Sequence, residues 1–290
     1  MPMQMIIPKI EIHGTVITEW ECFHTHQTTL FIPSKKAVRS TADIEMYDIS
    51  LLNDFIELGN FLFECYKEIY IPGFLSKLQN EHNAYENRLT WSELAVEKIL
   101  CDSNSHYLVQ KNNTVIEKVL SFINKYGWST PEPWHNTIMM SQRVWVGWIN
   151  KEKERHCSYV EVLGASFLIH ELLDTFVSFC KPVYCKNKIV SLYGEKAYAE
   201  CAAGVEFNIF QKYDPEKGKF ITKCTVFGVL DYLSMMLSLI NSGGSDCQIS
   251  TCKNCGKSFL ASNPRAVYCS PTCRNRANVK NCYYRRKKNP

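Results

Sequence analysis

Four cysteines near the C-terminus fall into two pairs, Cys252-x2-Cys255 and, thirteen residues later, Cys269-x3-Cys273. No other feature restricts the chain more. A segment this short cannot bury a sizeable core by itself, and four isolated thiols would leave it nothing to fold around. A metal ion supplies that centre. Zinc takes four ligands in a tetrahedron, with each thiolate at about 2.3 Å. A CxxC turn brings two sulfurs to one ion, and Gly256 directly after it lets the backbone turn so that amides point at sulfur. Ser270 is a helix N-cap and Pro271 a first helical residue, where its missing N–H costs nothing. Cys269 then lies just before a helix and Cys273 in its first turn, whose positive end favours thiolates. Between the pairs, 257–260 and 266–268 read as the strands of a hairpin, with Ala261-Ser262-Asn263-Pro264-Arg265 as its loop. The expectation is a treble-clef-like finger holding one Zn²⁺ per chain on Cys252, Cys255, Cys269 and Cys273. Cys247 and Cys282 stand close enough in sequence to be weighed as substitute ligands.

The stretch Cys269-Ser270-Pro271-Thr272-Cys273-Arg274-Asn275-Arg276-Ala277 resembles the signature of bacterial CGNR-type zinc fingers. Asn275 and Arg276 match its end, and Arg274 stands where that signature has Gly. The resemblance covers the finger alone. It implies a C-terminal finger behind a helical N-terminal part, and nucleic-acid binding in transcription regulation.

Charge points the same way. Residues 250–290 contain ten Lys or Arg and no Asp or Glu, so the rest of the chain holds 23 basic and 29 acidic side chains, a net of −6. A mildly acidic body thus carries a strongly basic tail, an asymmetry that suits a polyanion. The helix after Cys273 carries Arg274, Arg276, Lys280, Arg285, Arg286, Lys287 and Lys288. Arg276, Lys280 and Lys287 fall near one face at helical spacing. Tyr283 and Tyr284 interleave with the basic run and suit base stacking. Four thiolates on one Zn²⁺ give −2, which leaves the tail near +8, ample for salt-dependent phosphate contacts. A finger that grips a protein partner, and a solvated tail that only caps the fold, are the competing readings.

Composition sets the class. Of 290 residues, 46% are hydrophobic and 21% charged, the balance of a folded chain rather than a disordered one. Fourteen cysteines would fit a secreted disulfide scaffold, but such scaffolds are small. Ten of these cysteines are scattered singly, as in Phe179-Cys180 and Glu200-Cys201-Ala202, and read as reduced buried thiols. The start, 1–10, has no basic run ahead of an apolar one, and Asp231 breaks the most apolar stretch, 225–240. The expectation is therefore a cytoplasmic protein without a membrane span.

Read along the chain, 10–13, 16–23 and 28–32 look like strands of a meander. Helical spacing begins at Ile44 and runs through Leu51, Leu52, Phe55, Ile56, Leu62, Phe63, Tyr66 and Tyr70, with Gly59 between them and Pro72-Gly73 as the stop. Thr90 and Glu93 form a capping box for a helix over 91–100. Further helices are expected at 115–126 (ended by Gly127), 138–149, 159–180 (ended before Pro182), 197–210 and 224–240, with a loop at 129–134. The fold class expected is mainly α with a small N-terminal β element and the C-terminal four-Cys finger. The domains expected are a body over 1–240, a flexible linker over 241–249 and the finger over 250–290.

Other candidates carry less. Cys22, His24 and His26 alternate, so on a strand they share a face and can hold a second metal, although two histidines on a strand are usually surface. His170-Glu171 begins like a metalloprotease helix, but position 174 is Asp where the second His is needed. Trp145 and Trp148 read as core packing. No phosphate-binding loop, dinucleotide fingerprint or nucleophile elbow is present, so no catalytic residue is assigned. The leading expectation is a zinc-finger protein of bacterial type, a regulator with a helical sensing or partner-binding body and DNA or RNA as its partner. A protein-binding finger and an enzyme hidden in the body are the alternatives.

Overall fold

The computed structural model describes residues 9–24, 29–34, 36–37, 39–45, 48–68, 70, 113–130, 141–149, 155–195, 207–216, 218–226, 228–243 and 245–288. Helix is the larger share of them, as expected in outline. The expected helix at 91–100, the first part of the one expected at 197–210 (as far as 206), the Pro72-Gly73 stop and the 131–134 part of the loop expected at 129–134 lie outside the described residues.

The N-terminal strands exist but do not form a meander. Strand β1 (Lys9–Ile17) spans the first expected strand and the start of the second. It pairs antiparallel with β4 (Arg39–Glu45), so Ile44 belongs to a strand and not to a helix. Strands β2 (Trp20–His24) and β3 (Thr29–Pro33) form a hairpin in a different sheet. The switch occurs at Glu19, the one described non-glycine residue with positive φ (62°). A left-handed residue there turns the chain out of β1 before it can pair with β2. Ser34 N–H to Glu19 C=O (2.8 Å) holds the turn, and the indole N–H of Trp20 donates to Ile17 C=O at 2.9 Å.

Helix α1 (Ile49–Tyr66) follows, with Asp48 as N-cap accepting Leu51 N–H at 3.0 Å. Leu51, Leu52, Phe55, Ile56, Leu62, Phe63 and Tyr66 are all buried, as their spacing predicts. Helix α2 (Asn113–Tyr126) is amphipathic and ends at Gly127, whose φ of +73° suits the left-handed residue after a helix. The chain passes at once into β5 (Trp128–Thr130), which pairs with the end of β1, so Ser129 and Thr130 lie in a strand and not in the expected loop.

The largest departures come next. Residues expected as helix at 138–149 and 159–180 contribute strands β6 (Ser141–Ile149) and β7 (Arg155–Gly164), an antiparallel pair. Their Val, Ile, Tyr and Trp residues suit a pleated surface, so Trp145 and Trp148 fall on a strand. Helix begins only with α3 (Ala165–Cys180), followed by α4 (Pro182–Tyr193), which has Pro182 at its first position. Part of the expected helix at 197–210 is instead strand β8 (Phe207–Asp214), and Cys224 lies in β9 (Lys219–Val226). These two form a hairpin whose turn has Gly218 at φ +60°. Helix α5 (Val229–Asn241) is shorter at its start than the expected 224–240.

Two sheets result. One has the order β4-β1-β9-β8, with β5 added on β1, and its β1–β9 pair is parallel (Ile10 opposite Cys224). The other has the order β2-β3-β7-β6. The helical core sits with them: α1 packs on α2 and α3, and α5 on α3 and β1. Phe176 of α3 lies at its centre, with ring centroids 6.5 Å from Phe55 and 6.3 Å from Phe63. Gly59 makes this approach possible, because a Cβ there would sit 2.2 Å from Phe176 Cδ2. Asn124 of α2 ties in β2 by pairing with both backbone groups of Trp20, at 2.5 and 3.0 Å.

Candidate metal centre

The first cysteine pair sits at the tip of a hairpin. Strand β10 (Gln248–Thr251) precedes the knuckle, and β11 (Ser258–Ala261) follows it and pairs back. The expected hairpin between the two cysteine pairs is therefore not formed: 258–261 is a strand, but its partner is β10, and Ala266–Tyr268 is irregular. Between Cys252 and Lys257 the turn closes through Cys252 N–H to Lys257 C=O and Gly256 N–H to Cys252 C=O, both 2.8 Å. Gly256 has φ +72°, as the tight turn requires. Lys253 N–H to Val267 C=O (3.0 Å) brings the second segment alongside. Asn263 holds the intervening loop, accepting Arg265 N–H on its side chain and Ala266 N–H on its carbonyl, each at 2.9 Å.

Helix α6 (Pro271–Lys288) carries the last ligand. Ser270 caps it as its sequence predicts: its hydroxyl accepts Cys273 N–H at 3.2 Å and its carbonyl Arg274 N–H at 3.1 Å.

The sulfurs of Cys252, Cys255, Cys269 and Cys273 all lie within 4.8 Å of one another, close enough to bind one metal ion. Cys255–Cys269 is 3.7 Å and Cys269–Cys273 3.6 Å. A tetrahedron of thiolates at the zinc–sulfur distance has edges of about 3.8 Å, so the residues present fit the ion. Cys252 and Cys273 are buried, and Cys255 and Cys269 face solvent. Among the described residues no other group of this kind occurs. Cys247 and Cys282 do not join it. Of the Cys22, His24 and His26 trio, His26 and the His24 side chain lie outside the described residues.

The electrostatics are those of a cation site. Burial raises the Cys252 thiol, but backbone amides of Cys269, Cys255 and Asn254 aimed at its sulfur outweigh this and bring it down to about 6. Asn254, Cys269 and Ser270 hold Cys273 low as well. Burial and the neighbouring sulfurs push Cys269 up to about 12. Four sulfurs this close all carry charge only with a cation between them. Bound there, Zn²⁺ would be fully ligated by the four thiolates, with no position open for a substrate, which makes the centre structural.

Beyond Cys273, α6 extends for about 22 Å at the usual helical rise. Every described side chain from Asn278 to Tyr284 is exposed. Arg274, Arg276 and Lys280 are exposed too, and Tyr283 and Tyr284 stand with ring centroids 6.0 Å apart. Arg285, Arg286, Lys287 and Lys288 close the helix in the backbone. His170 packs its ring 5.3 Å from that of Tyr70, whose hydroxyl donates to Asp174. Sequence reasoning missed two residues that matter here, Asn60 and Lys181. Each lies far from the cysteines in sequence, and nothing in its own neighbourhood points to a metal.

No protein-family model matches the chain, and neither a curated protein nor a solved structure matches it. The likeness of 269–277 to CGNR-type fingers rests on those residues alone. No helix among the described residues is long and apolar enough to cross a membrane.

Proposed function

We propose that this chain is a zinc-finger protein whose helix α6 contacts DNA or RNA. In this reading the body senses a signal or binds a partner, as in a CGNR-type regulator. The observation that carries it is the character of α6: exposed Arg274, Arg276 and Lys280, no acidic residue, and a sequence that is polar or charged at most positions. A helix that docks on a protein groove presents a run of apolar anchors, whereas the exposed large apolar residues of this one are Val279 and the tyrosines Tyr283 and Tyr284, set among cations. The body's net −6 repels a polyanion, so the cationic helix is where phosphate would bind. Arg274, Arg276, Lys280 and the terminal Arg285, Arg286, Lys287 and Lys288 take phosphates, while Tyr283 and Tyr284 stack on bases.

Fluorescence anisotropy with labelled DNA and RNA oligonucleotides over a range of salt tests this reading. Binding should weaken steeply with salt. The double variant Arg276→Ala/Lys280→Ala should reduce the slope of log K against log salt by about two, one per phosphate contact. Tyr283→Ala/Tyr284→Ala should lower affinity with little change of slope. Negligible binding of every oligonucleotide at low salt would contradict the reading.

A further inference from the structure

Asn60 lies within α1, on its buried side, and is only 6% exposed. A carboxamide in that position needs partners, and it finds them in the finger. Its Oδ1 accepts Ser258 N–H at 2.9 Å, and its Nδ2 donates to Ser258 C=O at 2.7 Å and to Ile56 C=O at 2.8 Å. Ser258 is the third residue after Cys255. Its hydroxyl donates to Cys180 C=O, at the end of α3, at 2.8 Å. Next to it Lys181 spans the same seam. Its Nζ donates to Gly256 C=O at 2.5 Å and lies 5.6 Å from the centre of the Phe63 ring.

Three residues from two places in the body, Asn60 on α1 and Cys180 with Lys181 at the end of α3, thus hold one short loop, and none of these bonds is to sulfur. They fix the backbone from which Cys255 projects. The Cys252 N–H to Lys257 C=O bond carries that grip to the other knuckle ligand.

We infer that Asn60 and Lys181 are positioning residues for the metal centre, so that zinc binding and the packing of α1 against the finger form one linked equilibrium. The inference rests on the zinc reading above. Its physics has two sides. Without a cation nothing ties the four sulfurs to one another, and the knuckle is free to open. Opening pulls Ser258 away and leaves the buried Asn60 donor and acceptor unsatisfied, which strains α1. In the other direction, a body that already holds the knuckle in shape spares zinc the cost of ordering it. The coupling is reciprocal by necessity. Metal loss therefore reaches the core of the body, and α6, anchored through Cys273, keeps its orientation relative to the body only while the centre is loaded.

The test uses the full chain and zinc itself, competed against a chromophoric chelator. Lys181→Met and Asn60→Ala should each bind zinc about tenfold or more weakly, the usual scale for groups that orient ligands. Asn187→Ala, on the exposed side of α4, should match wild type. Hydrogen exchange supplies the second readout: stripping zinc should speed exchange of the α1 amides around Asn60. If Asn60→Ala fails to fold, Lys181→Met at the rim of the seam decides. Zinc affinity unchanged in the variants that fold, together with α1 exchange indifferent to chelation, overturns the inference while leaving the zinc reading intact. A wild-type chain that binds no zinc overturns both.

Discussion

Glu171 shows how one residue sets a property of the whole chain. Burial pushes its carboxyl up to about 8, and the nearby Asp174 and Asp231 add to the shift. In the unfolded chain a Glu titrates near 4.3. Between those values the folded state binds the extra proton, so folding stability falls as pH rises. Its contribution is fully present below pH about 4, fades toward pH 8 and is lost above it. Glu171→Gln should flatten this part of the stability profile and raise the thermal midpoint at pH 8 to 9 relative to wild type. Thermal unfolding between pH 5 and 9 checks this, and an unchanged slope would contradict it. Gly59 is a second case. The Cβ of Gly59→Ala would collide with the base of the Phe176 ring and not with a movable tip. Urea unfolding should show a loss of about 1–3 kcal/mol, the range for overpacked cores, although alanine favours helices in general.

Among the elements, α1 and α2 were legible because their apolar residues recur at helical spacing; α2 ends at the marked Gly127, whereas α1 ends at Tyr66, ahead of the expected Tyr70. The Ser270–Pro271 start of α6 was legible for the same reason: cap, proline and ligand all agree. Strands β6 and β7 were not, because an apolar run supports either structure and the period alone does not decide. Their Val and aromatic content was the neglected signal. The β8–β9 hairpin hid behind an expected helix although Gly218 marked its turn. In the finger, ligand spacing predicted which sulfurs meet but not which strands pair, since β10 lies upstream of the first cysteine. The cap yields its own prediction. Ser270→Ala removes the acceptor for Cys273 N–H and should cost about 1 kcal/mol. Its effect should appear as weaker zinc retention under chelation, because the first turn of α6 bears a ligand.

At the scale of the molecule, what stayed hidden is what joins distant parts. The parallel pairing of Ile10 with Cys224 and the bonds from Asn60 to Ser258 leave no local trace in sequence. The same bonds change the picture of the finger. Around the segment read as a linker, 241–249, α5 runs through Asn241, whose side chain donates to Phe179 C=O at 3.0 Å, and β10 begins at Gln248. The hairpin of the finger packs on α1 and α5. The contrast between acidic body and basic tail, visible in composition, acquires a geometry: the knuckle is held by the body and α6 leaves from it. In the proposed reading a metal ion sits at its centre. X-ray absorption at the zinc edge of the purified full chain tests that most directly. The account predicts one zinc per chain with four sulfur neighbours at about 2.3 Å. A folded chain without zinc, or one whose zinc has nitrogen or oxygen neighbours in place of any of the four sulfurs, would contradict it.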